Sequence, residues 1–265
     1  MAQGHGRRLN HWRIRGQPVT TPPPPRRQLL KRSGILAVVS PRDGETQNDA
    51  SDEETLDIYI CLTAEGRIVA FCGHVDLGTG IRTALAQIIA EEFDFPFTAI
   101  ELVLGDTSET PNQGPTIASE TIQVTAQPLR MAAAQARQHL VALAAEALRC
   151  STAELTIADG NLCRHGNDTP AITLETLLGN RRILLPLAAD TRLKPVDQYR
   201  IVGQPIGRVD IPAKVSGQFV YVHDVRMPGM LHGRVVRPPY AGIDSGEFIG
   251  RSRSEESRVG KECVP

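Results

Sequence analysis

The stretch GHVDLGTGIRTALAQIIAEEFD, residues 73–94, changes period at its centre. Up to Gly78 the chain alternates as a strand does. After Gly80, Ile81, Leu85, Ile88 and Ile89 fall on one helical face, with Arg82, Glu91 and Glu92 mostly off it. A strand therefore runs into a glycine-flanked corner that opens an amphipathic helix ending near Asp94. Glu91 and Glu92 are expected on its solvated end.

Upstream, residues 56–78 read as two alternating strands joined at Glu65-Gly66, and order is expected to begin near Leu56. Downstream, AIELVLG at 99–105 is a short buried strand, followed by the Pro-, Gly- and Thr-rich loop DTSETPNQGPT at 106–116. Residues 119–149 are alanine-rich, and Leu129, Ala133, Ala136, Leu140, Leu143 and Leu148 approximate one stripe of a long helix that Pro128 should kink or restart. A strand pair turning at Asp159-Gly160 and a short helix closed by Gly179 follow. The fold class is α+β, with short strands and two main helices.

Five segments are expected along the chain. Residues 1–50, with four consecutive prolines and clustered arginines, read as a disordered leader. Residues 51–187 form the first α+β domain, 188–198 a linker, and 199–250 the start of a second domain of short β segments between Gly and Pro corners. Residues 251–265, RSRSEESRVGKECVP, abandon that texture and resemble a translated sequencing adapter; they are read as a non-native tail on a chain cut short.

The basic charge is concentrated at the start: residues 1–34 carry eight Lys or Arg and no acid, while residues 35–250 carry 17 basic and 27 acidic side chains. So acidic a body repels nucleic acid, and no such partner is expected. Cys61, Cys72, Cys150, Cys163 and Cys263 make no C-x-x-C pair and no zinc or iron–sulfur spacing, so they read as free thiols of a reducing compartment. A cytoplasmic location is the expectation. RRQLLK at Arg26–Lys31 loosely resembles an export signal, but Pro41, Arg42 and Asp43 break the apolar run behind it. No run approaches the roughly 20 apolar residues of a membrane-spanning helix.

Two loops carry the candidate chemistry. Gly78, Thr79 and Gly80 feed a helix N-terminus, where unpaired backbone N–H groups favour an anion and the Thr79 hydroxyl can cap the helix or reach a phosphate. Ala118, Ser119, Glu120 and Thr121 occupy the start of the long helix, small and hydroxylated enough to leave amides accessible. Plainer readings stay open for both: a glycine turn into a helix, and an N-cap by Thr116 or Ser119 with Glu120 near the dipole. His74 with Asp76, and His223 with Asp224, lack further ligands and are discounted as metal or acid–base pairs.

Taken together, GHVDLGTGIRTALAQIIAEEFD, DTSETPNQGPTIASETIQ and GQPIGRVDIPAKVSGQFVYVHDVRMPGMLHGRVVRPP resemble the molybdopterin-binding large subunits of the xanthine dehydrogenase family. With the glycine loop ahead of the DIPAKVSG block, the order is similar to the branch of isoquinoline 1-oxidoreductase and nicotinate dehydrogenase. The resemblance implies that Gly78, Thr79, Gly80, Ala118, Ser119, Glu120 and Thr121 hold a molybdopterin, as the cytosine dinucleotide. It also implies that DIPAKVSG opens an α/β hammerhead domain. Thr79 replaces a glutamine common in the family, and Glu120 is bulkier than usual.

The same resemblance implies an oxidoreductase that adds water-derived oxygen to an N-heteroaromatic or aldehyde. A small partner subunit would carry two [2Fe–2S] clusters and pass electrons to a cytochrome or other acceptor. The family's general base is a glutamate near the subunit's end, and no residue of this chain corresponds to it. The fragment alone is expected to be inactive. Two rivals stay open: a non-catalytic cofactor-handling or assembly module of the same fold, and an unrelated phosphate-binding α+β domain.

Overall fold

The computed structural model describes residues 24–41, 56–167 and 169–233. Two compact units divide the chain after Gly217. The first is built on a five-stranded sheet in the order β4-β3-β2-β1-β8. Its strands are β1 (Ile35–Pro41), β2 (Leu56–Thr63), β3 (Ile68–Cys72), β4 (Ile100–Leu104) and β8 (Arg182–Pro186). Pairs β1–β2 and β2–β3 are antiparallel, while β3–β4 and β1–β8 are parallel.

Side-chain alternation divides this sheet between two cores. Leu36, Val38, Ile60, Leu62, Ile68 and Ala70 face a core shared with α2 (Ile81–Phe93) and α3 (Ala126–Leu148). Ile35, Ala37, Val39, Ile58 and Val69 face the other way, where Leu29 and Leu30 of α1 (Arg26–Lys31) cover them. A smaller sheet of β5 (Leu155–Ala158), β6 (Asn161–Arg164) and β7 (Pro170–Ile172) adds Leu155, Ile157 and Leu162 to the helical core. Asp159 and Gly160, at φ 48° and 79°, make the β5–β6 turn, both in the left-handed conformation that Asp and Gly tolerate. The helix α4 (Leu174–Leu178) ends at Gly179 as expected.

Part of the expected leader is instead integral to the fold. Arg26 is buried in α1 with its guanidinium 2.7 Å from Asp57, and β1 lies inside the main sheet, between β2 and β8. The composition of residues 1–50 concealed this because β1, covered on both faces, is a short unbroken apolar run with no alternation to advertise it. The expected leader residues 1–23 and the tail 251–265 lie outside the described residues.

Pro128 restarts a helix, one of the two outcomes expected. A π-helical turn at Thr121–Thr125 precedes it, and regular α-helix begins at Ala126 with the proline in its first turn, where a missing N–H is tolerated.

After Pro186 the expected short β segments do not form among the described residues. Residues 188–210 form no element beyond a 3-10 turn at Val196–Gln198, and DIPAKVSG contains the short helix α5 (Ile211–Val215), with Pro212 at its start where a fixed φ favours a helix. Residues 218–233 of the second unit form one 3-10 turn, Val222–Asp224; there Tyr221 meets Phe219 at a tilt, 4.8 Å between ring centroids, and stacks on His223 at 5.8 Å.

Glu91 and Glu92 are not solvated. Both are buried, because Glu92 continues the i, i+4, i+7 series of Leu85 and Ile89 into the protein. Glu91 Oε2 accepts the amides of Arg200, Ile201 and Val202 at 2.8, 2.6 and 3.0 Å, and Oε1 faces Lys194 Nζ at 3.1 Å. Glu92 accepts from Arg130 Nε at 2.7 Å and from the Lys194 amide at 3.0 Å. This pair fastens residues 194–202 to α2. Cys61, Cys72 and Cys150 are free thiols, and burial pushes the Cys61 thiol up to about 12.

Candidate cofactor-binding loops

Strands β3 and β4 are parallel neighbours, so the loops that leave their carboxyl ends emerge on the same edge of the sheet. The first, residues 73–80, enters α2; the second, residues 105–120, enters the π-helical turn and α3. Sequence spacing alone could not place them together, whereas the parallel pairing does.

Hydrogen bonds then join the two loops at their bases. The Gly73 amide donates to Gln113 Oε1 at 2.9 Å, and the Val75 amide to Thr116 Oγ1 at 3.0 Å. Between them His74, 1% exposed, spans the gap: its Nδ1 lies 2.8 Å from Thr121 Oγ1 and its Nε2 3.2 Å from the Gln113 carbonyl. A carbonyl only accepts, so Nε2 carries a proton. In a neutral ring Nδ1 then accepts the Thr121 hydroxyl proton. The histidine discounted from its neighbours in sequence is thus the tie between the loops.

Gly73 permits this closeness. A Cβ there would stand 2.3 Å from the Pro111 carbonyl oxygen and 3.2 Å from the Gln113 amide. Gly73→Ala is expected to push the second loop outward at a cost of about 2 kcal/mol, an overpacking penalty set against backbone that cannot rotate aside. Urea unfolding of the variant checks it, and an unchanged midpoint would show that the loops part freely.

The amides at the start of α2 are largely taken. Asp76 Oδ1 accepts from Gly78 N at 2.9 Å and Gly80 N at 3.2 Å, and Oδ2 from Arg82 N at 3.2 Å. The expected row of unpaired N–H groups is therefore reduced by an internal carboxylate. Its signal in the sequence was an Asp just ahead of a helix, a residue type favoured for capping. The Thr79 amide makes no hydrogen bond with a described residue.

Of the expected site residues, Gly78 and Thr79 are exposed and Gly80 is buried; Gly78 and Gly80 take φ of 92° and 78°. A Cβ on Gly78 would meet nothing within 4 Å, which leaves space for a ligand against its backbone. Ala118 and Ser119 are exposed at φ 50° and 60°, a strained pair for residues with a Cβ. Glu120 is half-buried, and Thr121 is buried with its hydroxyl engaged by His74. The bonds join the loops through residues 73–75, 113, 116 and 121 rather than through Gly78–Gly80 and Ala118–Glu120. Val75, Leu77, Ile117, Ile122 and Val124 are exposed around them, an apolar rim of the kind that marks a contact surface.

No group of His, Cys, Asp or Glu suited to a metal ion occurs among the described residues, and none of their helices is long and apolar enough to cross a membrane. His223, stacked on Tyr221 at 5.8 Å, is accounted for by that contact.

Two joined loops on one edge of a mixed sheet mark this α+β unit, and likeness to known proteins gives its family. Residues 28–205 match the model of the molybdopterin cofactor-binding domain, and the chain belongs to that family. One of the subunits of nicotinate dehydrogenase from Pseudomonas putida is 47% identical over 233 residues, covering 86% of this chain and 20% of that protein. The beta subunit of isoquinoline 1-oxidoreductase from Brevundimonas diminuta is 27% identical over 226 residues, 71% of this chain and 29% of the relative. The solved quinoline 2-oxidoreductase of Pseudomonas putida 86 aligns over 55% of this chain and 19% of its own at 18% identity, with a TM-score of 0.39. The chain thus spans less than a third of the curated relatives named here. Membership removes the rival reading of an unrelated phosphate-binding domain.

Proposed function

We propose that this chain is part of the large subunit of a molybdenum hydroxylase and that its two joined loops hold one side of the cofactor's pterin. The observation that carries the proposal is the His74 tie, which joins the two loops beside an exposed, strained backbone. The fit to a pterin rests on the donors present. Thr79 offers an amide and a hydroxyl, the exposed turn at Ala118 and Ser119 offers backbone groups and a second hydroxyl, and the apolar rim suits a flat heterocycle.

Each residue has its own part in this. Gly78 lets the backbone approach, buried Gly80 turns the chain into α2, Thr79 donates, Ala118 and Ser119 present their turn, and Glu120 borders the ligand. Thr121, committed to His74, positions the second loop. Asp76 already supplies a negative charge at the start of α2, which favours a neutral pterin edge over a phosphate at that spot.

When bound, the molybdenum group supplies oxidation of a substrate carbon by water-derived oxygen, and an N-heteroaromatic is the substrate class favoured by the named relatives. The cytosine dinucleotide form, a small [2Fe–2S] subunit, a cytochrome or other acceptor and a cytoplasmic site belong to the same proposal; the expected domain start at residue 199 does not, because residues 199–217 belong to the first unit. The test is to purify the complete gene product from cells that make the cofactor. Molybdenum, pterin fluorescence after oxidation, nucleotide release and heteroaromatic-dependent dye reduction are then measured. About one pterin per chain is expected; a folded, complete protein devoid of molybdenum and pterin would sink the proposal.

A further inference from the structure

Residues 199–210, far along the chain, lie against α2 and reach the glycine loop through Arg208. Gln87 Nε2 donates to the Ile201 and Gln204 carbonyls at 3.0 and 3.2 Å, and the Val209 amide donates to Thr83 Oγ1 at 3.1 Å. These bonds bring Arg208 onto the loop itself. Its Nη1 donates to the Gly78 carbonyl at 2.9 Å, and its guanidinium lies where a Cβ on Gly80 would meet Nε at 3.0 Å and Cδ at 3.1 Å.

The guanidinium is held in place from behind. Nε and Nη2 form a two-pronged pair with Asp210 at 3.0 and 2.6 Å, and Lys214 Nζ donates to the same carboxylate at 2.6 Å. The Arg208 guanidinium, followed by the Lys214 ammonium, draws the Asp210 carboxyl well below the usual range in spite of burial, so the pair stays ionised. A forked pair of this kind fixes the plane of the guanidinium as well as its position.

Peptide geometry gives that placement a consequence. The Gly78–Thr79 peptide is trans, so its C=O and N–H point in opposite directions. With the carbonyl turned to Arg208, the Thr79 N–H is turned away from it. The amides on either side, Gly78 N and Gly80 N, are turned onto Asp76. Of three successive amides the loop keeps one for a ligand.

We infer that Arg208, backed by Asp210 and Lys214, is a positioning residue that fixes the Gly78–Thr79 peptide so that the Thr79 amide donates to an uncharged acceptor atom of the bound pterin. Arg208 does not itself touch the ligand. This rests on the pterin-binding reading above and assigns to the DIPAKVSG region a part in holding the cofactor, beyond packing.

The test uses the complete protein purified from cofactor-producing cells, comparing wild type, Arg208→Ala and Arg208→Lys. Two readouts are taken: pterin per chain, and amide hydrogen exchange across residues 77–81. Arg208→Ala is expected to lower pterin occupancy about tenfold and to speed exchange at least tenfold at 77–81, with the sheet amides unchanged. Arg208→Lys keeps a donor but loses the fork, and is expected to lie between, about threefold down.

Full pterin occupancy in folded Arg208→Ala, or exchange at 77–81 equal to wild type, overturns the inference. If Arg208→Ala fails to fold, Arg208→Lys decides by the same two readouts, with wild-type values overturning it. A wild-type protein without pterin would sink the cofactor reading itself; pterin-loaded wild type with indifferent variants would sink only the role of Arg208.

Discussion

Replacing Glu91 with Ala is expected to cost roughly 3–5 kcal/mol, the range for stripping one partner from a buried ionic cluster. The variant leaves the amides of Arg200, Ile201 and Val202 without their common acceptor, and the Lys194 ammonium keeps only Asp94, at 2.6 Å, as a carboxylate partner. The loss should be local at first. Residues 194–202 should exchange their amide protons quickly and become cleavable by protease while the main sheet stays protected. Glu91→Gln, which keeps one carbonyl oxygen for the amides, should lose about half as much. Equal protection of 194–202 in wild type and Glu91→Ala would refute the fastening role.

Acid should act on the same cluster. Burial pushes the Glu91 carboxyl up, but the amides of Ile201, Val202 and Arg200 and the Lys194 ammonium outweigh it and bring it below its ordinary 4.5. A depressed carboxylate contributes stability that is fully present above the unfolded value and is lost as pH falls through the folded one. Wild type is therefore expected to lose stability progressively below about pH 4.5, and Glu91→Gln to lose less over the same window. Urea midpoints at several pH values measure the difference.

The second large effect is expected at His74. His74→Ala removes a buried ring and two hydrogen bonds at once, and the cavity together with the bereft Thr121 hydroxyl and Gln113 carbonyl should cost about 3 kcal/mol. Beyond stability, the two loops lose their tie, so pterin per chain should fall at least tenfold in the complete protein. His74→Gln, which retains one donor and one acceptor, should recover part of both. Full pterin occupancy in His74→Ala would mean that the loops hold their places without the ring.

What could be read from the sequence and what could not divide along physical lines. Local pattern found α2 from Ile81, Leu85 and Ile89, the β2–β3 hairpin from Glu65-Gly66 and the β5–β6 turn from Asp159-Gly160, because each is settled by residues close in sequence. Partners distant in sequence went unseen. β1 is a strand because β2 and β8 flank it, and nothing within Ile35–Pro41 names β8. Glu91 is buried because backbone amides more than a hundred residues later come to meet it. The candidate loops were found as glycine- and hydroxyl-rich corners, and Asp76 ahead of α2 carried a capping signal, but the loops' mutual placement depends on the parallel β3–β4 pair and on His74, and the clamp by Arg208 depends on geometry alone.

The interior position of β1 bears on how the chain leaves the ribosome. Its antiparallel neighbour β2 follows soon after, so one side of β1 can be paired early. The other side accepts β8, which is synthesised only after both long helices and the small sheet. Throughout that interval the nascent chain carries an apolar strand with a bare row of peptide groups, a template for pairing with any other unfinished chain. Translation stalled between β7 and β8 should therefore yield aggregates, and release of Arg182–Pro186 should be the step that ends the hazard.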